Sequence, residues 1–471
     1  MTTIARLAAA VGAVAVLVAC SAPAPPPPDP GLPQRLVESV TGDGAYRHLD
    51  ELQRIADANG GNRALGTPGY DASVEYVADV LRDAGYQVDI PSFTASRFEL
   101  REVRLTVDGA PVSVTALEFS PSTPEGGLTA PLAVIAQDDT SGCEAADFAG
   151  VPAGAIVLVR RGTCTFDQKA TTAAAAGAGA VLMVNNVDGP LAAATLGNDV
   201  AGTVPVAGLS QADGAALVGR AGTPTTLVLM ATVEEADSRN VIAQTRTGNP
   251  DEVVMAGAHL DSVPDGPGIN DNGSGTAALL ETAVRLGDSP PVANTVRFAF
   301  WGAEEVGLVG STSYVGGLAE ADRKRIALYL NLDMVASPNA GYLIYDGDDS
   351  DAEGAGPGPA GSAVIERVLA EGLAAAGVTA TEGTDFDGRS DYSPFIDAAI
   401  PSGGLFTGGE DTKTAEQAQR WGGTADAPFD PCYHQICDRI DAVDRTALDR
   451  NVDAVAAALA QFALSTGELT G

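Results

Sequence analysis

Apolar positions fall along this chain in two rhythms. Tyr46, Leu49, Leu52 and Ile55 return at the three-to-four-residue spacing of a helix face. Val74, Tyr76, Val77, Val80 and Leu81 form a second such face, stopped by Gly85. The turn Gly66-Thr67-Pro68-Gly69 separates the two predicted helices. A strand is predicted at 86–90. The alternation over 98–114, with Asp108-Gly109 in its middle, predicts a hairpin. From Ser238 onward, apolar runs (VIAQT, EVVMAGA, TVRFAFW, ALYLNLD, YLIYDG) alternate with helical stretches, among them 275–286 and an amphipathic last helix at 444–464. Such runs are buried strands, and strands alternating with helices build a mixed, mostly parallel sheet covered on both faces. The predicted class is α/β.

Residues 112–233 have another texture. Short apolar strands (LAVIA, AIVLVR, AVLMVNN, TTLVLMAT) lie between Ala-rich helical segments, with a polar, cysteine-containing loop at 138–150. No histidine falls here, and no catalytic constellation is visible. This stretch reads as an inserted α+β domain inside a main domain made of 33–111 and 234–471. Residues 346–361, rich in Gly, Asp and Pro, read as a surface loop rather than a calcium or phosphate loop.

The amino terminus carries an export signal. Arg6 precedes an apolar stretch at 7–19, shorter than the ~20 residues that span a bilayer. It ends in Leu17-Val18-Ala19-Cys20, which resembles a bacterial lipobox, so 1–20 is expected to be a lipoprotein signal with Cys20 lipidated. The proline-rich segment 21–32 follows as a tether. Of five cysteines, four then remain: Cys143, Cys164, Cys432 and Cys437. Three pairings exist; Cys143–Cys164 and Cys432–Cys437 are favoured because each pair stays within one domain. A net charge of −35 argues against nucleic acid and against electrostatic docking on anionic lipid.

Several strands end in metal-ligand residues. EVVMAGA leads to His259, TVRFAFWGA to Glu304 and Glu305, and IALYLNL to Asp333. Open α/β sheets place their sites beyond the carboxyl ends of strands. With Asp271 and His434 these make a set of five zinc-ligand types, and two of the chain's three histidines belong to it. Asp261, two residues past His259 on an extended strand, points to the same side and is predicted to accept the spare ring N–H. Asp271 has two oxygens with which to bridge two cations. Glu304 and Glu305 are adjacent and point apart, so one holds metal while the other takes a proton from a water whose pKa zinc lowers to about 7. Tyr433 has a phenol suited to an oxyanion. His48, spaced with Leu49 and Leu52, reads as a helix-surface residue without a role. No Gly-x-Ser-x-Gly elbow competes. The pattern points to a two-metal hydrolase.

The ordered series AHLDS, PGINDNGSGTAALLE, FWGAEEVGLVGS, YLNLDM, DGRSDYSPF and CYHQICD is similar to the dizinc exopeptidases of the secreted bacterial aminopeptidase type, over 46–90 and 238–462. CEAADFAG and VLVRRGTCTFDQKATTAAAAGAGAVLMVNN resemble a protease-associated (PA) domain, as in aminopeptidase Y-like enzymes. The resemblance implies the zinc exopeptidase fold with an inserted PA domain, and removal of amino-terminal residues from peptides. It implies zinc on His259 and Asp333, a second zinc on Glu305 and His434, and Asp271 bridging. Glu304 is then the general base, Tyr433 assists the tetrahedral intermediate, and Arg389 positions substrate. A cis peptide bond is expected after Asp271. Asp449 and Asp453 match carboxylates that hold calcium in some members. The expected partners are peptide substrates, with membrane contact through the Cys20 lipid only, and the expected state is a monomer on the outer face of the cell membrane.

Three other readings are weighed. A PA-domain carboxypeptidase of the glutamate-releasing type needs several arginines around its pocket, and Arg389 stands alone. A glutaminyl cyclase-like acyl transferase typically uses one zinc. A binding protein on the same scaffold has usually lost ligands, whereas all five are present here. Manganese or cobalt also suits mixed nitrogen and oxygen ligands.

Overall fold

The computed structural model describes residues 27–191, 194–197, 203–352 and 354–470. The signal segment and Cys20 lie outside them. Two eight-stranded sheets organise the chain. In the main sheet the strands run in the order Gln87–Asp89, Val241–Gln244, Asn294–Trp301, Asn249–His259, Ile326–Leu332, Ser402–Phe406, Leu343–Tyr345, Glu382–Thr384. The four from Asn294–Trp301 to Ser402–Phe406 are mutually parallel, and both flanks bring in antiparallel pairs. This is the mixed, mostly parallel α/β sheet the sequence predicts.

The helices form where the apolar stripes fall. Gly42–Ala58 begins at Thr41, whose side chain accepts from the Gly44 N–H, and it buries Leu49 and Leu52 completely. Pro68–Asp83 starts at the Thr67 cap and buries Val74, Val77 and Leu81. Each fully buried Leu or Val contributes about 1.5–3 kcal/mol. Gly275–Leu286 and Arg445–Leu464 complete the cover on that face of the sheet, in one continuous core. No described helix is long and apolar enough to cross a membrane.

The inserted unit has its own sheet and its own apolar clusters. Its strands Leu128–Val134, Ile156–Arg160 and Ala180–Val184 match the first three apolar runs, the fourth run lies in the antiparallel strand Pro224–Arg239, and the parallel strand Val206–Leu209 is one those runs did not mark. The same sheet also includes Ser92–Val107 and Ala110–Val112. Ser92–Val107 pairs along its length with Pro224–Arg239, a long antiparallel ribbon that ties both crossings between the units together.

Two local expectations need correction. The predicted hairpin turns at Asp108 and Gly109, both with positive φ, but its return arm is only Ala110–Val112. The principal partner of Ser92–Val107 is the distant strand, since alternation marks a two-faced strand without naming its neighbour. Toward the end of the proline-rich segment, the Asp29 N–H donates to the Pro291 carbonyl at 2.9 Å, and Leu32–Ser39 is a helix burying Leu32 and Leu36. His48 is half-buried rather than a free surface group. Its Nδ1 lies 2.6 Å from the Tyr76 hydroxyl, and its Nε2 lies 3.8 Å from the buried Glu281 carboxylate.

Candidate metal centre

The five ligand types meet at the carboxyl edge of the parallel strands. His259 Nε2 lies 3.2 Å from Asp271 Oδ1 and 3.4 Å from Asp333 Oδ1. His434 Nε2 lies 3.2 Å from Asp271 Oδ2 and 3.1 Å from Glu305 Oε2. Two ligand triads result, His259–Asp271–Asp333 and Asp271–Glu305–His434. Asp271 belongs to both and offers one oxygen to each. Glu304 stands beside the first triad, with its Oε2 at 3.9 Å from His259 Nε2.

Backbone shape makes this convergence possible. Gly257, two residues before His259, lets the strand lie against its neighbours: a Cβ there would fall 2.4 Å from the Tyr329 hydroxyl and 2.6 Å from Trp301 Nε1. The peptide bond Asp271–Asn272 is cis. His434 has φ of 57°, in the left-handed region, within the loop closed by the Cys432–Cys437 disulfide. Cys143 and Cys164 are also bonded, in the inserted unit.

Further side chains, which the sequence alone did not single out, hold the ligands in place. Asp438 accepts the N–H groups of Asn270 (2.7 Å) and Asp271 (3.0 Å). Arg63 is fully buried and donates to the carbonyls of Leu260, Pro267 and Gly268, fastening the loop between His259 and Asp271. Trp301 donates to Tyr329, Tyr329 to Asn331, Asn331 to Ser390, and Ser390 to Asp333 at 2.5 Å. This donor chain sets the orientation of the Asp333 carboxylate. The predicted role of Asp261 changes. Its carboxylate accepts the N–H groups of Glu304 (3.1 Å) and Glu305 (3.3 Å), while the His259 Nδ1 meets the Asp261 backbone carbonyl at 3.2 Å. Periodicity gave the correct side but not which of the two oxygens the ring meets.

The charges at this site are unbalanced. Burial pushes the Glu305 carboxyl up to about 7, and the charge of Asp271 adds to the effect. Burial lifts the Glu304 carboxyl well above the carboxylate range, against the pull of His259. Burial works against charge on His434, yet Glu305 and Asp271 outweigh it and raise its pKa to about 11. Crowded carboxylates therefore hold protons on groups that ordinarily release them. Glu305 Oε1 and Asp333 Oδ1 are buried without a hydrogen-bond partner. Divalent cations would displace those protons and engage both oxygens, and mixed imidazole and carboxylate donors suit zinc. The residues fit two such ions.

A cleft of about 360 Å³ opens over this cluster, lined by Glu304, Glu305, Arg389, Tyr433 and His434, with Glu118 and Thr195 reaching in from the inserted unit. Arg389 donates to the Tyr433 hydroxyl at 3.1 Å and pairs with Glu410 at 3.0 Å. Burial, reinforced by Asp271, raises the Tyr433 phenol well above its usual value, so it stays protonated. Asp449 and Asp453 lie far from this cluster in the chain's last helix. Asp449 accepts the Gly42 N–H at 2.7 Å, and among the described residues no third His, Cys, Asp or Glu completes a metal group with them. Asp346, in the loop read as ordinary surface, is buried and approached by Asp348 and Glu366, but it is occupied by the N–H groups of Asp348, Ser350 and Asp351.

A family model described as Peptidase family M28 matches residues 240–459, and one described as PA domain matches 128–217. The probable lipoprotein aminopeptidase LpqL of Mycobacterium tuberculosis is 52% identical over 436 residues, covering 92% of this chain and 87% of that protein. The solved aminopeptidase from Aneurinibacillus sp. strain AM-1 superposes with a TM-score of 0.76 at 27% identity, covering 92% of this chain and 96% of the other. BSAP, a zinc aminopeptidase from Bacillus subtilis, gives 0.65 at 30% identity, covering 91% and 96%.

Proposed function

The chain belongs to peptidase family M28 and is a zinc-dependent aminopeptidase, and on that premise we propose how its residues divide the work. His259 and Asp333 would hold one zinc ion and Glu305 and His434 another, with Asp271 shared between them. The observation that carries this reading is the placement of the two Asp271 oxygens, one facing each histidine at 3.2 Å. When bound, the two ions supply Lewis acidity and lower the pKa of the attacking water.

The chain's own groups do the rest. Glu304 is adjacent to the ligands without completing either triad. It takes the proton of the attacking water and delivers it to the departing amine nitrogen. Tyr433 receives a hydrogen bond from Arg389, which leaves its own phenol proton to face the oxyanion. Acidic groups dominate the cleft, and they favour a free α-ammonium. Its arginine, Arg389, is already paired with Glu410, so no cationic cluster awaits the carboxylates of a carboxypeptidase substrate.

The same proposal places the enzyme on the outer face of the cell membrane, held by lipid on Cys20. It is supported by the lipobox-like LVAC sequence and by likeness to a relative named as a lipoprotein.

The test is metal removal. Dialysis against a chelator should abolish hydrolysis of leucine p-nitroanilide. Restored activity should saturate at two zinc ions per chain by elemental analysis, and N-acetyl-leucine p-nitroanilide should not be cleaved. Cleavage of the acetylated substrate at a similar rate would overturn the amine-recognition reading, and saturation at one ion would overturn the bridged pair.

A further inference from the structure

We propose that the seam between the two units contains a subsite for an apolar side chain on the leaving-peptide side of the scissile bond, with part of its wall built by the inserted unit. The proposal rests on the aminopeptidase reading above. Beside the cleft lies a separate cavity of about 150 Å³. Leu65, Val263 and Val306 come to it from the main domain, and Phe98 and Phe119 from the other. An apolar cavity of about that size accommodates a benzene ring. The Phe98 and Phe119 rings lie 5.9 Å apart, tilted by 49°, and form one side. Phe119 is buried and holds a φ of 59°, a backbone shape that bulky residues rarely adopt.

The cavity adjoins the catalytic cleft: Glu118, Val263, Glu305 and Val306 line both. Its position gives the direction. The site has two halves about Asp271. Glu304 and Asp333 stand on the His259 side, and Glu305 stands on the His434 side. A free ammonium drawn to Glu304 and Asp333 leaves the first side chain near a smaller recess of about 100 Å³, bordered by Met334, Ser390 and Arg389. The chain beyond the scissile bond then runs toward Glu305, which borders the seam cavity. An aliphatic or aromatic side chain there exchanges water for the two phenylalanine rings and the flanking aliphatic groups, which favours apolar second residues.

Steady-state kcat/KM should be compared for leucinamide, Leu-Gly, Leu-Leu and Leu-Phe, with the full zinc-loaded chain and its Phe98→Ala and Phe98→Tyr variants. Phe98 borders the seam cavity and is absent from the lining of the cleft itself. The wild type should favour Leu-Leu and Leu-Phe over Leu-Gly by about tenfold. Phe98→Ala should bring that ratio within about twofold, and Phe98→Tyr should keep it. Leucinamide, which has no second side chain, corrects each variant for general damage. A wild-type ratio near one, or a ratio unchanged in Phe98→Ala, overturns the subsite while leaving the aminopeptidase intact. Failure of the wild type to hydrolyse any of the four, leucinamide included, overturns the underlying activity and the subsite with it.

Discussion

The two sheets are built alike and differ in how they treat buried charge. In the inserted unit Lys169 is buried, and its ammonium donates to the Ser141 carbonyl at 2.5 Å, next to the Cys143–Cys164 bond. A second contact runs from the same ammonium to Cys143 Sγ at 3.6 Å, and among the described residues no carboxylate forms a salt bridge with it. In the main domain Asp261, Asp271, His259, Glu304 and Asp333 are buried around a single point, and carboxylate oxygens of Glu305 and Asp333 go without hydrogen bonds. Burial of a charge therefore does not mark a site. Convergence of several charges that the protein cannot neutralise by itself does.

That contrast can be broken at its strongest point first. Glu304→Ala should lower kcat by about a thousandfold while elemental analysis still finds both zinc ions. Full activity in this variant would place the base elsewhere. A smaller effect is expected from Asp438→Asn, which weakens the hold on the Asn270 and Asp271 amides without touching a ligand atom. Zinc affinity, measured by competition with a chelator, should fall about 10–100-fold. Unaltered affinity would make those two hydrogen bonds incidental to the metals.

The disulfides sharpen the comparison at its mildest. They close segments with sequence separations of 21 and 5. The chain-entropy account assigns about 3 kcal/mol to the longer closure and about 2 kcal/mol to the shorter. Replacing Cys143 and Cys164 by serine should lower the denaturation midpoint with kcat unchanged. Replacing Cys432 and Cys437 should cost less stability but lower kcat several-fold, because that ring carries His434. Equal effects on kcat from both pairs would remove the functional distinction between the two units.

Much of the site was legible in the chain. His259, Glu304, Glu305 and Asp333 stand where largely apolar runs stop, and such runs, short and rich in Val, Ile and Phe, read as buried strands whose ends meet the sheet edge. Asp271 and His434 lack that flag and were found through turn residues, flanking cysteines and family likeness. Arg63, Asp438 and the chain from Trp301 through Tyr329, Asn331 and Ser390 carried no local signal. Arg63 lies between Gly60-Gly61 and Gly66, and it is fully buried because three carbonyls of a distant loop replace its water. The role of Asp261 was half visible: the two-residue spacing placed it beneath His259, but the Glu304 and Glu305 amides that take its carboxylate lie on another strand's end.

The chain by itself determined that strands alternate with helices from Ser238 onward and which ligand-type side chains stand at the ends of apolar runs. Those are properties of neighbours within a few residues, set by side-chain period and by the cost of burying unpaired backbone. Only the folded molecule decided which oxygen faces which imidazole, which distant strand completes Ser92–Val107, and that both units share a wall beside the cleft. Such pairings join residues far apart in sequence, and they are chosen by the shape and polarity of surfaces that exist only once both partners have packed.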